Sequence, residues 1–237
     1  MLYIGVLIDA IGQKETKMKV ALLTMKDVRL KESQIHKMRG YIGNLFKEYD
    51  LVHNHGEDGK NIFRYPLIQF KTIDKGTPVI LAIGDDAIKI FSEIFMKLER
   101  IEIDDRILRI NEKYLSVNDY PFGISENMVT YDFIHPWIAL NQVNYEKYQE
   151  LATLKEKKDM LSKMLTGNLL SMSKGLGYTV PARIETETTL NSIKTRLKGV
   201  EVIGFIGSFR ANFEIPDFFG IGKSVSRGFG TVERIKK

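Results

Sequence analysis

The chain has 237 residues, 43% hydrophobic and 27% charged, a composition that belongs to folded globular proteins and excludes a disordered or fibrous chain. Its 35 Lys and Arg against 30 Asp and Glu give a net charge of +5, compatible with a nucleic-acid partner but too small to establish one. No cysteine occurs, so disulfides, thiolate metal sites and cysteine nucleophiles are excluded.

Leu2–Ile8 and Lys19–Met25, rich in Val, Ile and Leu, read as strands around a polar turn near Gln13–Lys17. A compact domain can start at Met18, which leaves the first 17 residues peripheral. Met1–Ile11 has no basic opening segment and carries Asp9, and the longest apolar runs are strand-sized. Neither a secretory signal nor a membrane span is expected, and a soluble cytoplasmic protein is the default.

Glu32-Ser33 opens a helical pattern in which Ile35, Met38, Ile42, Leu45, Phe46 and Tyr49 recur on one face, with Ser33 as N-cap and with His36, Lys37 and Arg39 on the other face. The polar loop LVHNHGEDGKN follows. Ile62–Lys71 and Thr77–Ile83 read as strands joined by a turn at Asp74-Lys75-Gly76. Gly84-Asp85-Asp86 leads into a helix that buries Ile88, Phe91, Ile94, Phe95 and Leu98. The two carboxylates there fit N-capping and dipole compensation better than a metal. Ile101–Ile110 is the next strand. From Lys19 onward the order is that of a ferredoxin-like domain, assigned to residues 1–113.

A second domain, residues 114–237, repeats the order less cleanly. Val129–Leu140 is strand-like with a break at Pro136, and Asn144–Lys174 reads as one long helix stopped by Gly175 and Gly177. Tyr178–Thr186, Lys198–Ser208, Phe209–Ile215 and Phe229–Ile235 read as strands, with the helix before the last one missing or reduced. The fold class is α+β, two ferredoxin-like domains in tandem, each an antiparallel sheet with helices on one face.

Three groups of residues are suited to chemistry. In FFGIGKSVSRGFGTV, residues 218–232, Gly220, Gly222, Gly228 and Gly230 surround Lys223, Ser224, Ser226 and Arg227. Glycine lets main-chain N–H groups approach an anion, and the cations supply charge, so a polyanion-binding loop and a plain glycine-rich hairpin both fit. A Walker loop is excluded by Asp217 and a dinucleotide fingerprint by Val225. His53-Asn54-His55 fits an acid–base pair or a plain surface loop; a metal site with Glu57 or Asp58 needs a further ligand. Arg39, Arg64 and Tyr65 are types that an RNA site uses for phosphates and stacking. Tyr131, His135 and Trp137 read as core or interdomain residues.

Together KMRGYIGNLF, HNH, FRYPLIQFK, FIHPWIALN, GNLLSMSKGLG and FFGIGKSVSRGFGTV resemble the CRISPR-associated repeat-processing endoribonucleases of the RAMP superfamily, in the branch found with type I systems. The resemblance runs from about Met18 to Val232. It implies a glycine loop that holds RNA and a His-x-His pair, here His53 and His55, that catalyses cleavage of precursor CRISPR RNA within its repeats without metal or cofactor. The expected partners are the repeat RNA, other effector-complex subunits and a second copy of the chain. A non-catalytic RNA-binding subunit of an effector complex is the rival reading.

Overall fold

In a computed structural model, the structure describes residues 16–47, 49, 65–197 and 199–236. The expected strand Leu2–Ile8 lies outside these residues.

The first domain contains β1 (Lys17–Met25), a 3-10 turn (Glu32–Gln34), α1 (Ile35–Leu45), β2 (Ile68–Ile73), β3 (Thr77–Ile83), α2 (Asp85–Lys97), a hairpin of β4 (Arg100–Ile103) and β5 (Arg106–Arg109), and β6 (Lys113–Pro121). The antiparallel sheet has the order β2-β3-β1-β6. This is the ferredoxin-like arrangement, with β6 as its fourth strand. Ile101–Ile110 is therefore not that strand. It folds back on itself at Asp104 and Asp105, both at positive φ, and forms a separate two-stranded sheet. β6 instead pairs with β1 from Lys17↔Pro121 to Met25↔Lys113, so a division after residue 113 would cut this strand from its sheet.

Ile35, Met38, Ile42 and Phe46 are buried as the helical spacing predicts, whereas Leu45 is exposed. Ser33 is not the N-cap. It sits inside the 3-10 turn, where the Lys31 backbone N–H donates to Gln34 Oε1 at 3.0 Å. Asp85, at the start of α2, pairs with Lys19 of β1 at 2.8 Å.

The second domain contains β7 (Gly123–Trp137), α3 (Gln142–Glu150), α4 (Leu154–Gly175), β8 (Thr186–Leu197), β9 (Val200–Glu214), a 3-10 turn (Val225–Arg227) and β10 (Val232–Arg234). Its sheet order, β10-β7-β9-β8, repeats the first. The short 3-10 turn stands where a second helix would be. The expected long helix is two, because Thr153 and Glu156 form a reciprocal capping box that starts α4 afresh: Glu156 N–H donates to Thr153 Oγ1 and Thr153 N–H to Glu156 Oε2. Residues 200–208 and 209–214 of the two strands expected at Lys198–Ser208 and Phe209–Ile215 form a single strand, β9. Most of Tyr178–Thr186 is irregular, and β8 begins at its end. Pro136 does not end β7, since a register shift against β9 between Phe133 and Trp137 absorbs it.

Two cores result. One lies between the first sheet and α1, α2 and the β4–β5 hairpin, and includes Leu23, Phe70, Ile80 and Phe91. The other joins the opposite face of that sheet, through Val20, Leu81 and Ile83, to Phe122, Phe213, Phe219 and the core of the second domain. All seven residues of β3 are buried because both faces of the first sheet are covered at this strand.

Candidate nucleic-acid interface

The glycine-rich stretch folds down onto the second domain. Phe219, Ile221 and Val225 are buried, Ile221 N–H donates to the Gly230 carbonyl at 2.9 Å, and Gly230 N–H donates to the Pro136 carbonyl at 2.8 Å. Two glycines are demanded by this packing. Gly222 has φ of 88°, and a Cβ there would stand 2.6 Å from Trp137 Nε1, which donates to Asn168 Oδ1 at 3.0 Å. Gly230 has φ of 61°, and a Cβ there would stand 1.9 Å from the Ile221 carbonyl oxygen. Glycine at these positions thus serves the loop's own fold before any anion arrives.

The first domain supports the loop from β2 and the residues leading into it. Tyr65 donates its hydroxyl to the Gly220 carbonyl at 2.8 Å, and Gly220 N–H donates to Gln69 Oε1 at 3.1 Å. Lys71 Nζ donates to Thr231 Oγ1 at 3.0 Å and reaches the Val225 carbonyl at 3.5 Å. Lys71 is fully buried, and desolvation pushes its ammonium down to about 7. Burial also raises the Tyr65 phenol above its ordinary value. Tyr65 is therefore a strut between the domains, its hydroxyl committed to the loop and its ring beside Phe219, rather than a platform held out for a base.

His135 of β7 locks the same seam. Its Nε2 donates to the Thr72 carbonyl at 2.6 Å, and its Nδ1 lies 3.1 Å from Glu32 Oε1. With Nε2 donating to a carbonyl, Nδ1 donates to Glu32 in the protonated ring, and that hydrogen bond holds the Glu32 carboxyl below the usual carboxylate range, although burial acts the other way. Trp137 and Tyr131 are fully buried in the second domain, the core placement their sequence context indicates.

Between the start of α1, the glycine loop and the β8–β9 hairpin lies a cleft of about 520 Å³, whose lining includes Glu32, His36, His135, Arg196, Arg227 and Phe229. Arg39 of α1 and Arg227 of the loop are brought close. Burial, and then the like charge of Arg227, lower the Arg39 guanidinium below its ordinary value. Two such groups drawn together across a domain seam form a natural seat for a phosphate.

Of the loop's other polar residues, Lys223 is exposed at the turn and does not line the cleft, while Ser224 is left-handed at φ 59° and, like Ser226, half-buried. His53, His55 and Arg64 lie outside the described residues, as do Glu57 and Asp58. Sequence reading missed Lys71, Gln69, Glu32 and Arg196. Gln69 and Lys71 alternate with Ile68 and Phe70 as the polar face of a half-exposed strand would, and only the docked loop turns that face inward.

Two ferredoxin-like domains in tandem, with the glycine loop of the second closed against a cationic seam, place the protein in the RAMP class of CRISPR-associated proteins. Residues 16–121 match the family model of the Cas6b N-terminal domain and residues 123–235 that of the Cas6b C-terminal domain. The chain belongs to the Cas6b family. A crystal structure of Cas6b is 32% identical, covers 93% of this chain and 100% of its own, and superposes with a TM-score of 0.87. A second, described as the CRISPR RNA processing endoribonuclease Cas6b, is 30% identical with the same coverage and a TM-score of 0.75. An uncharacterised protein of Methanocaldococcus jannaschii is 42% identical over 146 residues, which are 61% of this chain and 99% of that relative. No helix among the described residues is long and apolar enough to cross a membrane.

Proposed function

We propose that this chain is an endoribonuclease that cleaves precursor CRISPR RNA within its repeats. The reading is carried by the match of both domains to Cas6b, which includes a solved relative described as a CRISPR RNA processing endoribonuclease. The paired guanidiniums of Arg39 and Arg227 support it by offering a phosphate seat where the two domains meet.

The proposed reaction uses the RNA's own nucleophile. One histidine of the His53/His55 pair removes the proton from the 2′-OH just upstream of the scissile phosphate. The oxygen attacks in line, the P–O5′ bond breaks, the other histidine protonates the departing 5′-oxygen, and a 2′,3′-cyclic phosphate remains. Arg39 and Arg227 hold the RNA backbone beside the reacting phosphate. The segment that carries the histidines rejoins the described chain at Tyr65, which is hydrogen-bonded to the glycine loop.

Incubation with repeat RNA from the protein's own locus tests this. Cleavage is expected to persist in EDTA, to stop when the single upstream ribose is 2′-deoxy, and to leave cyclic phosphate ends. Loss in EDTA with rescue by a divalent cation would overturn the metal-free scheme. Binding without any cleavage would leave an RNA-binding subunit instead.

The loop's cations contribute to affinity. Lys223→Ala together with Arg227→Ala is expected to weaken RNA binding and to reduce the slope of log K against log salt by about 1.4, at ~0.7 per single-strand phosphate contact. Binding measured across a salt series checks this. Normal affinity with lost cleavage would instead place the loop inside the catalytic machinery.

A further inference from the structure

Among the described residues, the cleft at the seam is lined by one carboxylate, Glu32, beside its cations. His135 takes one of its oxygens, and no donor among the described residues takes the other. The hydrogen bond from His135 favours the ionised form, and His135 is itself anchored on the Thr72 carbonyl. An ionised carboxylate repels phosphate. A group that reaches Glu32 must therefore bring hydrogen-bond donors and no negative charge; in RNA these are the ribose 2′-OH and the base edges, and of the two only the base edge changes with sequence.

The remaining lining suits the rest of a nucleotide. Pro136, Leu197 and the half-buried Phe229 give apolar area to the faces of a base, while His36, Arg196 and Arg227 are placed for the flanking phosphates. The volume, about 520 Å³, lies within the range of small-molecule sites, about 300–1,000 Å³.

We propose that this cleft takes one unpaired nucleotide of the repeat RNA and that Glu32 reads the edge of its base, selecting an amino-bearing base and rejecting uracil. Adenine, cytosine and guanine each present an exocyclic amino group to the carboxylate. Uracil presents carbonyl oxygens on both sides of its N3–H, and these meet the carboxylate with like partial charge. The inference rests on the reading of the chain as a repeat-RNA-binding protein, and makes Glu32 a specificity-determining residue for it.

The test is binding of the purified full-length protein to a panel of repeat RNAs, read by fluorescence anisotropy. Each RNA carries one position changed to uridine, or to cytidine where uridine is native. One position is expected at which uridine weakens binding about tenfold or more. Glu32→Gln is expected to erase that difference, because an amide offers a donor as well as an acceptor. A second measurement needs no variant: at that position, an analogue of the native base lacking its amino group should show the same loss as uridine. The absence of any uridine-sensitive position, or a discrimination that survives in Glu32→Gln, overturns the inference while leaving the proposed function standing. Failure of the wild-type protein to bind any repeat RNA overturns both.

Discussion

Replacing either His53 or His55 by alanine is expected to slow cleavage of repeat RNA by about a hundredfold or more, the usual scale of general acid–base catalysis, while RNA binding is retained. An imidazole of ordinary pKa near 6.5 is present in both protonation states around neutral pH, so two of them can remove and deliver a proton in one turnover. Alanine removes the proton carrier and leaves the cations that hold phosphate in place. Single-turnover cleavage beside equilibrium binding separates the two effects. Unchanged cleavage by both variants would remove the assignment. Weakened binding that accounted for all of the lost rate would make the pair a binding element.

Lys71→Met is expected to raise stability at neutral pH and to flatten its pH dependence. The folded-state value of about 7 lies below the ordinary 10.5, so between these two values the unfolded chain binds more protons than the native one. Stability therefore rises as pH increases from about 7 towards 10, and below about 7 the penalty is fully present. At ~1.4 kcal/mol per pKa unit the shift corresponds to a few kcal/mol. Methionine keeps much of the length and removes the charge, a replacement that in buried ionic sites is often neutral or stabilising by ~1–4 kcal/mol. Denaturant unfolding at about pH 6, 8 and 9.5 checks the slope. A variant less stable than wild type at every pH would show that the hydrogen bonds to Thr231 and Val225 outweigh desolvation.

The elements that sequence pattern locates are those with a clear apolar signal, either on one face or along a whole run. Ile35, Met38, Ile42 and Phe46 share the buried side of α1, and Thr77–Ile83 is an apolar run that became β3 with the bounds expected of it. β6 and β8 escape for the opposite reason. Lys113–Pro121 has no buried residue, and among the residues of β8 only Thr188 is buried, so neither shows an inside and an outside to the pattern. Ile101–Ile110 has the alternation of a strand, but the Asp104-Asp105 turn at its centre converts one strand into two. Arg39 and Arg227, which the fold brings close, could be singled out because their residue types are informative alone. Glu32 and Arg196 were not, because the cleft exists only once the start of α1, the loop and the β8–β9 hairpin are assembled.

The central strands of the first domain's sheet, β1 and β3, are covered by the second domain. Small RNA-recognition modules built on the same four-stranded plan lay single-stranded RNA across the open face of the sheet and stack bases on its aromatic residues. Here Val20, Leu81 and Ile83 turn that face into a floor for the neighbouring domain. Among the described residues, the exposed aromatic residues of that face are confined to the edge strand β6, at Tyr114 and Tyr120. Altered repeat preference among relatives should then arise from turns and helix starts along the crevice, while the strands beneath stay constrained by packing.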